Sequence, residues 1–287
     1  MRINIFTALN GVGLQRDAYI LEQALHGHDI TIVDLNKTPR PKRADLNIFC
    51  ELLKPNFLKI APRNVLIPNP EWFMMGWQPY LKRMEIWNKT RLSQRAFGGE
   101  YIGFTSLDFY NENKVNRWAH FSGKSSYKGT EYLIDAWKPN YPELVIKRDR
   151  NQIKVEKKNI SYQFARLAEQ QFQKYFSKTL VHFCPSIAEG WGHYIWEAMG
   201  AGSVVVTTDG APMNEYINDH RLLVKTKGFT VLNKGVKHTI DTLDMQRVVE
   251  GLMAMTENEL KEIGQLNRQT YLDNDKGFKE RIRAVLA

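Results

Sequence analysis

Short apolar runs alternate with helical stretches twice over along this chain, once from the N-terminus and again from about Asn113. "INIF" (3–6) is followed by the turn-like "ALNGVG" and then by "LQRDAYILEQALHGH", where Ala18, Leu21 and Leu25 recur at helical spacing with Ile20 and Ala24 beside them. "DITIVDL", "ADLNIFCEL", "RNVLIPN", "RMEIWN" and "GEYIGF" supply further strands. The second series reads "RWAHFSG" strand, "KGTEYLIDAWK" helix, "PELVIKR" strand, "SYQFARLAEQQFQKYF" long helix, "TLVHFCPS" strand, "HYIWEAMG" helix and "SVVVTTD" strand. The last part, from "DMQRVVEGL" onward, is helical by period. Strands that alternate with helices build parallel sheets covered on both faces. At 287 residues the chain has room for two such lobes, each with its own core. The expected fold class is therefore α/β in two lobes, joined near residues 108–114.

No run of about 18 apolar residues could span a bilayer. The start, "MRINIFTALNGVG", lacks the extended apolar region and cleavage site of a signal peptide, so a cytoplasmic location is the expectation. Two cysteines, Cys50 and Cys184, fit reduced core thiols better than a disulfide framework. The formal net charge of +9 favours a polyanionic partner: nucleic acid, an anionic membrane surface or a phosphorylated substrate. The basic excess peaks in "KRDRNQIKVEKK" (147–158), read as a loop or exposed hairpin, either a solvated face or a binding surface.

Gly11 and Gly13 follow a strand and precede a helix, where backbone amides can approach a negatively charged ligand; a plain tight turn is the competing reading. A dinucleotide fingerprint fails because the third glycine position is Arg16. The seven histidines show no metal-ligand spacing, so no metal is expected, and no G-x-S-x-G elbow is present.

The richest segment is "AEGWGHYIWEAMGAG" (188–202). A helix starting near Gly192 would bury Ile195, Ala198 and Met199 and turn Glu197 towards the carboxyl edge of the sheet, where open α/β sheets bind ligands. Gly190 and Gly192 would expose amides there, with Glu189 just before them. Two carboxylates beside free donors suit vicinal hydroxyls, hence a sugar. The alternative is that Glu189 caps the helix and Glu197 is solvated. Upstream, "FSGKSSYKG" sets Lys124 and Lys128 in a small-residue loop that could clamp a diphosphate. Diphosphate, ribose and sugar together describe a nucleotide sugar.

"FSGKSSYKGTEYLIDAW", "FCPSIAEGWGHYIWEAMGAGSVVVTTDGAPMNEYI" and "YIGFTSLDFY" together resemble the family 4 glycosyltransferases of the GT-B fold, the bacterial and viral kind also described as glycosyltransferase family 1. The match covers about residues 101–225, and the rest more weakly. The resemblance implies two Rossmann-like lobes with a cleft between them. It implies residues 1–110 as the acceptor-side lobe, 111–272 as the nucleotide-sugar lobe and 273–287 as a helix crossing back to the first lobe. It also implies a hexosyl- or pentosyltransferase, retaining and metal-independent, that uses a UDP- or GDP-type donor and binds no permanent cofactor. Glu189 and Glu197 match the family's E-x7-E pair, the first on the donor sugar and the second on the ribose, while Lys124 stands where arginine is common beside Lys128. The expected catalytic set is Lys128, Lys124 and Glu189, and the donor-binding set Gly11, Gly13, Gly190, Trp191, Gly192 and Glu197.

"LIPNPEWF" ends a strand in the first lobe, and Asn69, Glu71 and Trp72 are the expected acceptor or sugar contacts, against a proline-shaped structural turn. Trp191 and Tyr194 either stack on the ligand or pack in the core, and Glu215 is either a further contact or a helix N-terminal acid. The acceptor is a carbohydrate, lipid-linked sugar or other small molecule, or else hydroxymethylated bases in DNA, which the charge keeps open. A non-catalytic nucleic-acid-binding scaffold is the reading from a different class.

Overall fold

The computed structural model describes residues 1–11, 13–37, 39–148, 155–164 and 167–286. The chain forms two compact units: Met1–Ser106 with Val231–Val236 and Asn274–Ala287, and Leu107–Thr230 with Lys237–Asp273.

In the first unit β1 (Arg2–Thr7), α1 (Gly13–Ala24), β2 (Asp29–Asp34), β3 (Leu46–Cys50), β4 (Arg63–Ile67), β5 (Glu85–Asn88), α2 (Arg91–Phe97) and β6 (Glu100–Tyr101) follow in order. The six strands pair in parallel as β2-β1-β3-β4-β5-β6. β3 is buried along its whole length, as expected for a strand covered on both faces. Phe6 stacks on Phe49 at 4.6 Å between ring centroids, in a core shared with Val33, Leu58, Leu66 and Phe73. α2 starts where the Thr90 side chain accepts from the Ser93 amide, and it stops at Gly98, whose φ is +70°.

Three asparagines lie inside this sheet at paired positions, Asn4 opposite Asn47 and Asn47 opposite Asn64. Asn4 Nδ2 donates to Asn47 Oδ1 at 3.1 Å, and Asn47 Nδ2 donates to Asn64 Oδ1 at 2.9 Å and to the Phe57 carbonyl at 3.0 Å. Asn64 Nδ2 closes the row on the carbonyls of Leu58 and Ala61. Each amide is affordable in an apolar interior only because its neighbour completes it.

In the second unit come β7 (Val115–Gly123), α3 (Thr130–Ala136), β8 (Leu144–Arg148), β9 (Ile160–Gln163), α4 (Glu169–Lys178), β10 (Thr179–Cys184), α5 (His193–Gly200), β11 (Val204–Thr208) and β12 (Leu223–Val224). They make a second parallel sheet in the order β12-β11-β10-β7-β8-β9. β13 (Thr226–Leu232) and β14 (Gly235–Ile240) form a two-stranded sheet, followed by α6 (Thr242–Met253) and the long α7 (Glu257–Leu286). The residues of α7 up to Asp273 belong to the second unit and those from Asn274 to the first. Within the first unit Asn274 donates to the Phe104 carbonyl at 2.7 Å and Arg281 to the Ile102 carbonyl at 2.9 Å. No helix among the described residues is long and apolar enough to cross a membrane.

Two expectations are corrected, and one sheet was not expected. The stretch read as one long helix divides into β9 and α4, with residues 165–166 outside the described set. Tyr162 and Phe164 stack at 5.9 Å and 6°, a contact at i, i+2 that an extended chain allows and a helix does not. The basic segment is not all exposed loop: Lys147 and Arg148 end β8 and are buried, Lys157 donates to the carbonyls of Ile134 and Trp137 at the end of α3, and residues 149–154 lie outside the described set. The sheet of β13 and β14 had no counterpart in the strand pattern. Its tip, which counts with the first unit, is held there by Lys234 N donating to the Pro70 carbonyl and Asn233 Nδ2 to the Glu71 carbonyl.

Asn47→Ala should leave Asn64 Oδ1 and the Phe57 carbonyl short of a donor and cost about 2–4 kcal/mol, read as a lower urea midpoint. A loss under about 0.5 kcal/mol would show that the asparagine row contributes nothing net.

Candidate active site

Two strand-to-helix loops at the carboxyl edge of the second sheet meet to form the site. One runs from β7 through Lys124 to Gly129 into α3, the other from β10 through Glu189 and Gly192 into α5. The Ile187 amide donates to the Tyr127 carbonyl at 2.8 Å and joins them. Gly129 sits so close to the second loop that a Cβ there would lie 1.9 Å from the Pro185 carbonyl oxygen, and its φ of +65° is the left-handed conformation glycine takes freely. His120 pins the same elements from below, with Nδ1 on the Phe183 carbonyl at 2.7 Å and Nε2 on Thr130 Oγ1 at 2.8 Å. Burial lowers its pKa to about 4, so it is neutral near pH 7 and acts as a strut.

Lys128 and Glu189 are brought together as an ion pair, Nζ on Oε1, with both side chains largely buried. The Lys128 ammonium also lies 4.0 Å from the centroid of the Tyr194 ring. Ser186 Oγ donates to the same Glu189 oxygen and stands 2.6 Å from the Tyr194 hydroxyl. Burial pushes the Tyr194 phenol well above its ordinary range, with Cys184 and Glu189 adding to the rise, so it stays protonated. A fixed ammonium with donors left over, beside a carboxylate oriented by a hydroxyl, can hold an anionic group and a neighbouring hydroxyl.

α5 begins at Gly192, in the left-handed region at φ +83° and with no side-chain cap on the helix. Glu189 lies against this start, its Cγ and Cδ 3.5 and 3.6 Å from where a Cβ on Gly192 would stand. The helix is buried from Tyr194 to Gly200 rather than along one stripe, and Glu197 is 1% exposed, which rules out a solvated acid. Trp191 is 3% exposed and lies parallel to Trp196 at 5.0 Å, with Tyr216 tilted against both, so its ring packs in the core beneath the loop. Gly190 is buried.

The remaining sequence candidates are placed elsewhere. Lys124 is exposed in the loop after β7, and Glu215 is exposed at the end of a 3-10 turn. Gly11 and Gly13 belong to the first unit, with the Gly11 amide donating to Gln15 Oε1 at 3.1 Å. Asn69, Glu71 and Trp72 follow β4 in that unit: Asn69 donates to Glu51 Oε2 at 2.5 Å, Glu71 is buried, and Trp72 is half exposed. Among the described residues no three His, Cys, Asp or Glu side chains form a group that could hold a metal ion. Sequence reasoning missed Ser186, whose signal was the hydroxyl three residues before Glu189, and His238, whose amide donates to the Ile187 carbonyl while its ring fills the space against Gly210.

Residues 123–247 match the family of glycosyl transferases group 1. No curated protein matches the chain in sequence. Among solved structures the chain is similar to a glycosyltransferase from Rickettsia africae, at 12% identity and a TM-score of 0.69, over 99% of this chain and 97% of that one. It is similar to a sucrose-phosphate synthase from Thermosynechococcus elongatus, at 12% identity and a TM-score of 0.70, over 100% and 98%. It is similar too to Anabaena HepE solved with UDP, at 14% identity and a TM-score of 0.65, over 100% and 99%. At these identities the likeness is one of fold, and the fold is the two-lobe Rossmann-like GT-B. The family match over residues 123–247 falls on the segment whose motifs carry the resemblance.

The Lys128–Glu189 pair should register in a stability cycle. Lys128→Met leaves a part-buried carboxylate without its cation and should cost about 2–3 kcal/mol, while Lys128→Met with Glu189→Leu should recover at least about 1 kcal/mol of it. Simple additivity in thermal melts would mean that the pair is not coupled.

Proposed function

We propose that the protein moves a sugar from a UDP- or GDP-type nucleotide sugar to an acceptor hydroxyl, retaining anomeric configuration and using no metal. The observation that carries this reading is the joining of two loops that puts Lys128 on Glu189 beside the N-terminus of α5, with Glu197 buried one helical turn further on. The UDP held by Anabaena HepE, a fold neighbour, supports the donor class. Lys128 and the amides near Gly192 take the charge that grows on the diphosphate as the bond from the anomeric carbon to phosphate breaks. The acceptor oxygen bonds to that carbon on the same face, and its proton passes to the departing diphosphate oxygen. Glu189 holds a hydroxyl of the donor sugar and Glu197 the ribose. The protein works in the cytoplasm and needs no permanent cofactor.

The donor belongs to residues 111–272 and the acceptor to residues 1–110, with Asn69, Glu71 and Trp72 as its contacts. The favoured acceptor is a carbohydrate, lipid-linked sugar or other small molecule. The net charge of +9 favours, as a second reading, hydroxymethylated bases in DNA.

Purified protein titrated with UDP and GDP, then incubated with UDP-glucose, UDP-N-acetylglucosamine and GDP-mannose, should bind one nucleotide and slowly hydrolyse one donor. Silence across the panel would overturn the reading. Glu197→Ala should weaken nucleotide binding at least about tenfold, and Lys128→Ala should slow turnover by about 100-fold. Mass analysis of nucleosides from hydroxymethylated DNA incubated with donor decides the DNA acceptor, which fails if no hexose or pentose is added.

A further inference from the structure

The carboxyl edge of the first unit's sheet carries a polar cluster that the donor chemistry leaves unused. The strand order reverses between β1 and β3, so this lobe's ligand crevice opens past the ends of those two strands. Glu51 is the first residue beyond β3. Its φ is +64°, a left-handed conformation that a glutamate enters only at a cost, and its amide is tied to the Ile67 carbonyl at 2.9 Å. Asn69, beyond the neighbouring β4, donates Nδ2 to Glu51 Oε2, while its own Oδ1 is buried and has no hydrogen-bond partner among the described residues.

The cation nearest at hand is already engaged. Lys89, just after β5, lies 2.9 Å from Asp17 on α1, and both side chains are almost fully buried. Glu51 is left with an amide partner and a distant share of that charge. Burial pushes its carboxyl above the usual range; Asn69 and Lys89 pull it down, and Asp17 pushes it up. Burial keeps the adjoining Cys50 thiol protonated, so it offers no competing anion. A carboxyl group is thus held in one orientation, desolvated, at the edge where this lobe would take a ligand, on backbone that a glycine would occupy with less strain.

We propose that Glu51 orients the attacking hydroxyl, accepting its hydrogen bond through the carboxylate that Asn69 steadies. This rests on the glycosyl-transfer reading above. In the step, the bond from the anomeric carbon to phosphate oxygen breaks with its electron pair leaving on the diphosphate. The hydroxyl's single hydrogen is shared between Glu51 and the departing diphosphate oxygen in a three-centre hydrogen bond; as the hydroxyl oxygen bonds to the carbon the proton passes to the diphosphate, and Glu51 lends direction and keeps its charge. Water is the smallest hydroxyl acceptor, so donor hydrolysis reports the same role without a known acceptor.

The test compares the full-length chain with Glu51→Gly, Glu51→Gln and Asn69→Ala in three measurements: thermal midpoint, UDP and GDP affinity by calorimetry, and the pH profile of hydrolysis of the donor panel above. Glu51→Gly relieves the left-handed backbone and should melt at or above the parent temperature, bind nucleotide within about twofold of it and hydrolyse at least about 100-fold more slowly. The parent rate should rise with pH as Glu51 ionises. Glu51→Gln keeps an accepting carbonyl and should lose that rise while retaining part of the rate, and Asn69→Ala should fall between. The proposal is overturned if Glu51→Gly hydrolyses at the parent rate, if Glu51→Gln keeps the acid limb, or if melting temperature and nucleotide affinity fall together with rate, the sign of a structural role. A parent that binds no nucleotide and turns over no donor sinks the glycosyl-transfer reading and this inference together; a parent active beside an equally active Glu51→Gly sinks this one alone.

Discussion

The approach of Gly129 to the Pro185 carbonyl is the contact on which the site in the second unit depends. Two loops from neighbouring strands touch there backbone to backbone, at a distance that any side chain would forbid. The preceding residue is then delivered to the partner loop, which places the Lys128 ammonium on Glu189 and over Tyr194. Ser186, carried by the loop that Gly129 touches, turns its hydroxyl onto the same carboxylate, and its carbonyl accepts from Thr208 on the next strand. A chain of short contacts therefore runs from β7 across β10 to β11, and the charged groups sit at its exposed end. Charges that must be partly desolvated are costly unless their partners are fixed beforehand, and here the backbone does the fixing.

Strand interiors are largely apolar, the first unit closing its asparagines into a row and the second burying His120, His182 and Lys147, while Lys89 and Lys128 sit past strand ends. The helix carrying Glu197 is buried from Tyr194 to Gly200, and Trp191, Trp196 and Tyr216 pack together at its start, so the carboxylate is kept from solvent.

Much of the fold was legible in the sequence because parallel strands buried on both faces appear as unbroken apolar runs, as in "NIF", "VLI" and "SVVV". Ile160–Gln163 was misread because β9 is an edge strand whose polar and aromatic residues also fit a helical period; only pairing with β8 decides between them. The sheet of β13 and β14 escaped because its burial is sparse, with Phe229 and Val231 exposed, so no strong alternation marks it. Of the site, the acids and Lys128 were visible from their spacing beside glycines. The union of the two loops was not, since it rests on a through-space approach of Gly129 to a residue 56 positions later by number, Pro185. Glu51 gave no signal at all: a left-handed backbone at a glutamate has no composition mark, and its partner Asn69 was noticed only for lying just past the end of a strand.

The asparagine row across β1, β3 and β4 has a consequence beyond its own bonds. Side chains alternate between the two faces of a strand, so a slip of one residue between β1 and β3 would part Asn4 from Asn47, and one between β3 and β4 would part Asn47 from Asn64, a penalty that sliding apolar strands would never feel. The row works as a vernier: it sets the height at which each strand runs out, and with it the level at which Thr7, Glu51 and Asn69 emerge at the rim.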